Sequence, residues 1–337
     1  MANLNVEFMG LSLKNPIIVG ACTLSATVEG AQELERSGAA AIVYKSLFEE
    51  QIQMERAQLS DELDEYADRN AEMTSLFPTL EHAGPKAHIL KLSEVKKNVN
   101  IPVIASLNCL YDVTWFDYAK QLEDVGVDAL ELNFYQMPGD VDKTAEQLED
   151  EKVKIVKILK ERLSIPFCIK LSPYYTNTLN FVNRLDQAGA SAFVLFNRLF
   201  QPEIDIHTES HVTNFNLSNQ GDFKLGLRYV GLMYKKIEGG LCGTNGIYTY
   251  EDVVQMLLSG ANTVQMVSAL YKNMPSYIAQ VLSELEEWMD KKGYKSIDEF
   301  RGKLSDSELK ASDIYYRAQY LDYLLNPEEI VNKYPMR

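Results

Sequence analysis

Cysteine is scarce in this chain of 337 residues: Cys22, Cys109, Cys168 and Cys242 stand far apart and form neither a CxxC pair nor a His/Cys cluster. Zinc and iron–sulfur ligation are not signalled, no metal site is expected, and reduced thiols of a cytoplasmic protein are the simpler reading. The glycine fingerprint GxGxxG occurs nowhere, which argues against a dinucleotide-binding domain. No apolar run approaches membrane-spanning length, and the opening MANLNVEFMGLSLKNP has no long apolar core, so a soluble, unexported protein is expected. Positive charge is also short, with 33 Lys and Arg against 48 Asp and Glu and a net charge of −15. Nucleic acid and anionic membrane surfaces would be repelled by such a surface as a whole, although a local basic pocket is still allowed.

What is present is enough apolar residue, 46%, to bury a large core as one domain spanning 1–337. After a short hairpin, apolar strands and helices alternate. Strands are expected over 17–20, 40–44, 102–106, 129–132, 167–171, 192–196, 240–242 and 263–266. The helices that separate or follow them are expected over 28–37, 113–125, 143–162, 178–188, 224–236 and 276–292. A weak internal repeat supports one joint used four times: SGAAAIVY at Ser37, VGVDALEL at Val125, AGASAFVL at Ala188 and SGANTVQM at Ser259. In each, a helix ends at glycine and an apolar strand follows. Eight such strands close most naturally as a (β/α)8 barrel.

Two insertions interrupt the rhythm. The acidic stretch 48–85 reads as a solvated excursion over one end of the fold or as a lid, and 198–219 contains an alternating run suited to a hairpin. Residues 293–337 form a polar tail.

In a barrel the chemistry sits where strands end. Those ends carry Cys22, Lys45-Ser46, Ser106, Asn133, Lys170, Asn197, Gly243-Thr244-Asn245-Gly246 and Val267-Ser268. Small and hydroxyl residues at the last two strand ends suit a phosphate cradle. Lys45 and Lys170 end apolar strands, where a charge needs an anion or an acid such as Glu131 to meet it.

At this point the residues resemble the dihydroorotate dehydrogenase family, its soluble class in particular, over nearly the whole length. The matching stretches are LKNPIIVGACT, IVYKS, ALELN, FCIKLSPYYTN and GTNGIYTYEDVVQMLLSGANTVQMVSAL, with KGYKSIDEFRGKL near the end. The resemblance implies an FMN-binding barrel of pyrimidine biosynthesis. Gly20, Ala21 and Cys22 would lie at the flavin face near Lys45 and Ser46, and Ser106 and Asn133 would hold the flavin edge. Lys170 would approach the ring where charge collects on reduction. Ser218 and Asn219 with Gly243, Thr244, Asn245, Gly246, Val267 and Ser268 would grip the phosphate, and Asn197 would reach the substrate; for a different substrate, Tyr135, Gln136, Asn197 and Arg198 would read it. Related enzymes pair through loops at the strand ends, which makes a homodimer an expectation.

The chain also departs from the family pattern. Gln136 stands where the family has a Cys or Ser base, and an amide cannot take a proton at neutral pH. Tyr135 beside it could do so only if its ionisation were eased, for instance by a lysine. MTSLFPTLEH replaces the usual orotate-closing segment. Three readings follow: oxidation of dihydroorotate or a related cyclic amide, FMN chemistry on a different substrate, or a flavin-holding or partner-binding protein that has lost the chemistry. In the first two, a soluble oxidant or a separate electron-transfer subunit must reoxidise the flavin.

Overall fold

Runs such as VIASLN and ALELNF are buried at every position, as strands covered on both sides must be. The computed structural model describes residues 2–49, 86–108, 112–135, 139–198, 202–212, 217–309 and 312–316, together with 324, 325, 328 and 332. The chain begins with a hairpin, β1 (Val6–Phe8) and β2 (Leu11–Leu13), and then alternates. Its first half runs β3 (Ile17–Val19), α1 (Val28–Arg36), β4 (Ala41–Phe48), α2 (Lys86–Asn98), β5 (Val103–Asn108), α3 (Asp112–Asp124), β6 (Ala129–Phe134) and α4 (Ala145–Arg162). The second half runs β7 (Phe167–Leu171), α5 (Thr178–Gln187), β8 (Ala192–Leu195), a hairpin of β9 (Glu203–Asp205) and β10 (Ser210–Val212), and α6 (Lys224–Met233). Then come β11 (Gly240–Gly243), α7 (Tyr250–Ser259), β12 (Thr263–Met266), α8 (Ser268–Asn273) and α9 (Tyr277–Lys292).

The eight strands β3 to β8, β11 and β12 close into a parallel barrel in which β12 pairs with β3. This is the (β/α)8 fold expected from the alternation. The recurrent joint has a physical signature, because Gly38, Gly126, Gly189 and Gly260 all have positive φ, between 87° and 121°. An L side chain is disfavoured there, so glycine turns each of these helices into its strand.

Strand alternation sorts side chains between the barrel interior and the helices. Along β6, Phe134 faces outward and meets Trp115 of α3 edge-on. Glu131 and Asn133, on the opposite side of the strand, therefore face the interior.

Several boundaries differ from expectation. Strands β7 and β12 match, whereas the strand expected over 40–44 continues to Phe48. Helix α2 was not expected, since only Leu92 and Val95 in it are fully buried and the rest of its surface is rich in lysine. Helix α8 was also missed. The stretch expected to be a polar tail is packed through residue 309 and again at Tyr315: Ile297, Phe300, Ser305 and Tyr315 are buried, and the backbone of Gly302 and Leu304 bonds to α7. The excursion lies outside the described residues over 50–85, as do Cys109 and Gln136.

Candidate active site

At the C-terminal ends of the barrel strands opens a cavity of about 710 Å³, within the range of cofactor sites. Its walls bring together Ala21, Cys22, Lys45, Ser46, Asn133 and Tyr135, from β3 to β6 and the loops after them. Lys170, Asn197, Arg198, Thr244, Asn245, Gly246, Val267 and Ser268 line it from the other strands. A separate groove of about 640 Å³ at the other end of the barrel, against the β1–β2 hairpin, contains none of these residues.

Local backbone geometry explains part of this convergence. Neighbouring strand residues normally face opposite ways, yet Lys45 and Ser46 both reach the cavity. Between Tyr44 and Leu47 the register against β5 slips by one residue, and such a bulge re-aims side chains. Ser46 then meets Ser106 of β5 hydroxyl to hydroxyl at 2.7 Å, so Ser106 stands behind the wall. Gly20 is placed similarly. A Cβ there would touch Val267 and the Gln265 side chain, so this glycine allows β3 and β12 to pack closely beside the cavity.

The floor is polar and tightly bonded. Lys170 Nζ lies 3.4 Å from Glu131 Oε1 and donates to Gln265 Oε1 at 3.0 Å. The expected acid partner is therefore present, and the lysine faces the cavity as well. Asn197 donates its amide to Asn133 Oδ1 at 2.8 Å. Cys22 stays a neutral thiol, because burial pushes it up further than its hydrogen bonds and Lys170 bring it down.

The opposite end carries hydroxyls and a tight turn. Ser218 donates both its backbone N–H and its hydroxyl to Ser268 Oγ, at 3.1 and 2.7 Å. Asn245 and Gly246 both have positive φ, 74° and 81°, so the chain turns tightly after β11. Gly243 and Asn219 do not line the cavity. Gly243 packs on Met256, and the Asn219 carbonyl closes against the turn at Gly246.

Among the described residues, Arg198 Nη1 and Asn245 Oδ1 are buried without a hydrogen-bond partner. Buried polar atoms seldom remain so, and both belong to cavity-lining residues. Tyr271 of α8, which hydrogen-bonds Thr23, and Gln265 complete the wall, and neither was expected from the sequence. Gln265 left a signal, since TVQM is a buried strand and a glutamine within it needs partners.

A parallel α/β barrel whose strand-end cavity gathers a paired lysine, an amide pair and a cluster of hydroxyls has the layout of a barrel enzyme with its site at the strand ends. A family model described as dihydroorotate dehydrogenase matches residues 3–289, and the chain belongs to that family of oxidoreductases acting on CH–CH groups. Among its relatives, proteins from Thermoplasma volcanium and Thermoplasma acidophilum are each 28% identical over 311 residues, 90% of this chain and 98% and 99% of theirs. One from Caldicellulosiruptor saccharolyticus is 25% identical over 307 residues, covering 90% and 99%. All three are named dihydroorotate dehydrogenase B (NAD(+)), catalytic subunit. The family uses FMN, and the cavity suits it in volume, in its hydroxyl and amide donors at one end, and in the lysine at its floor.

Proposed function

We propose that this chain oxidises dihydroorotate to orotate, holding FMN in the cavity and passing the electrons to a separate acceptor. The observation that carries the reading is the convergence of Lys45, Lys170, Asn133, Asn197 and Ser268 on one cavity in a chain of this family. Ser218, Thr244, Asn245 and Ser268 would hold the phosphate, with Gly243, Gly246 and Asn219 shaping the turn beneath them. Gly20, Ala21, Cys22 and Val267 would border the ring, while Lys45, Ser46, Ser106 and Asn133 support its edge.

Bound there, FMN supplies the hydride acceptor. Lys170 has three N–H donors, and Glu131 and Gln265 engage two of them, which leaves one for the ring edge where charge collects on reduction. Asn197 orients the substrate amide, and the Arg198 guanidinium suits a carboxylate. Dihydroorotate must lose a proton from the carbon adjacent to the one that loses hydride. Tyr135, which lines the cavity with Lys45 and Lys170, would take that proton as a phenolate, the form that neighbouring lysines favour. Gln136, which lies outside the described residues, accepts no proton at neutral pH.

The relatives' names make them catalytic subunits of an NAD(+)-linked enzyme. Here too a separate electron-transfer subunit reoxidises the flavin, since the chain has no GxGxxG segment. Among the described residues no helix is long and apolar enough to cross a membrane.

The test is anaerobic mixing of the FMN-loaded protein with dihydroorotate. The flavin absorbance should bleach and orotate should form in equal amount. Flavin that stays oxidised with dihydroorotate but bleaches with another reduced cyclic amide would reassign the substrate.

A further inference from the structure

The barrel core directly beneath the cavity holds a closed polar ring. Glu131 on β6, Lys170 on β7 and Gln265 on β12 are 1%, 8% and 3% exposed. Lys170 and Gln265 line the cavity, whereas Glu131 does not. Around the ring, Lys170 Nζ reaches Glu131 Oε1 at 3.4 Å and Gln265 Oε1 at 3.0 Å, and Gln265 Nε2 donates to Glu131 Oε2 at 2.5 Å.

Gln265 comes from the far side of the barrel, so the ring spans the core and fixes the ammonium from two directions. The nearby thiols add no charge. Burial drives Cys242 up to about 12 and Cys168 well above its ordinary value. The charge below the cavity floor is therefore the Glu131–Lys170 pair.

We propose that Glu131 is a positioning residue that sets the reduction potential of bound FMN through Lys170. The inference rests on the FMN reading above. A lone buried ammonium next to the ring edge would favour the reduced cofactor strongly, because reduction concentrates negative charge there and the surroundings screen it poorly. A carboxylate on the far side of that ammonium offsets part of its field and adds a repulsion of its own. Both effects lower the potential. Electrons that arrive from substrate are then released to the acceptor more readily than an unpaired lysine would allow. The ring does a second thing: with Gln265 holding both partners, Lys170 keeps its direction while the cavity fills and empties.

The experiment is a spectroelectrochemical titration of the FMN-loaded protein and its Glu131→Gln and Glu131→Asp variants. Cofactor dissociation constants are measured in both oxidation states. Glu131→Gln keeps the size and a hydrogen-bond acceptor for Lys170 but removes the charge. It should raise the potential and strengthen reduced relative to oxidised FMN binding by about tenfold, which is about 30 mV for a two-electron couple. Glu131→Asp keeps the charge and should stay close to the parent. A Glu131→Gln potential that is unchanged or lower overturns the proposal, as does an equal shift in both variants, which would mark a packing effect. Should Glu131→Gln not fold, a Glu131→Asp potential that rises by about 30 mV although the charge is kept decides against it. Failure of the parent protein to bind FMN would count against the proposed function instead, so the two failures are distinguishable.

Discussion

Asn197 donates its side-chain amide to Asn133 Oδ1 at 2.8 Å, reaching past β7, the strand that carries Lys170. The pair ties β6 to the end of β8 at the cavity wall, and the Asn197 backbone N–H reinforces it by donating to the Leu171 carbonyl at 2.7 Å. Asn197→Ala should leave FMN bound and raise the substrate KM by about tenfold, the scale of one buried hydrogen bond with its partner left unpaired. Asn133→Ala should weaken FMN binding by roughly 3–10-fold. Equilibrium FMN titration and steady-state kinetics on both variants check the division of labour.

Arg198 lines the main cavity and a smaller one of about 280 Å³ beside it. Replacing a guanidinium that pairs with a carboxylate costs about 1.5–3 kcal/mol. Arg198→Met should therefore weaken binding of orotate about 10–100-fold and barely change that of a neutral pyrimidine analogue. Equal loss for both ligands would remove the charge-recognition role.

Tyr135→Phe deletes the hydroxyl assigned to take the substrate proton. Flavin reduction by dihydroorotate should slow about 10²–10⁴-fold, the usual yield of general base catalysis. Reduction by dithionite should be unaffected. Unchanged reduction by dihydroorotate, measured by stopped flow, would place the base elsewhere.

At Gly246 a Cβ would lie 2.3 Å from the Asn219 carbonyl oxygen, and φ is +81°. Gly246→Ala must both strain a left-handed backbone, at about 1–2 kcal/mol, and push the neighbouring chain aside. FMN retention on gel filtration should fall at least about tenfold.

Glu123 anchors the approach to β7. Burial alone would raise its carboxyl, but Lys120, the Ser164 hydroxyl and the N–H groups of Ser164 and Ile165 outweigh burial and hold it at about 2. Because the folded value lies below the unfolded one, the stabilisation is present above about pH 4.5 and is lost as pH falls towards 2. Urea midpoints measured down this range should fall in the parent protein and be flatter in Glu123→Gln, which starts less stable at neutral pH.

The barrel was legible because its joints repeat. Four helices end at a glycine just ahead of an apolar strand, and all four glycines adopt the positive φ that makes the joint. Lys45 and Lys170 were legible because a cation at the end of an apolar strand needs a reason. The role of Asn197 came from family resemblance, since amides at turns are common, whereas the small and hydroxyl residues at the last two strand ends already suggested a phosphate cradle. Gln265 and Tyr271 were missed because their partners, Glu131 and Thr23, are 134 and 248 residues away in sequence. The missing side chains of Gly20 and Gly243, both proposed at the cofactor, leave room for Val267 and Met256. A sequence does not reveal which neighbour a glycine accommodates. The lid reading of 48–85 and the placement of Gln136 fall outside the described residues.

The most direct measurement is anaerobic titration of the purified, FMN-reconstituted protein with dihydroorotate, followed by visible absorption. One FMN per chain, bleached by one equivalent of dihydroorotate with release of orotate, is the result expected. A chain that takes up no FMN would contradict the central claim.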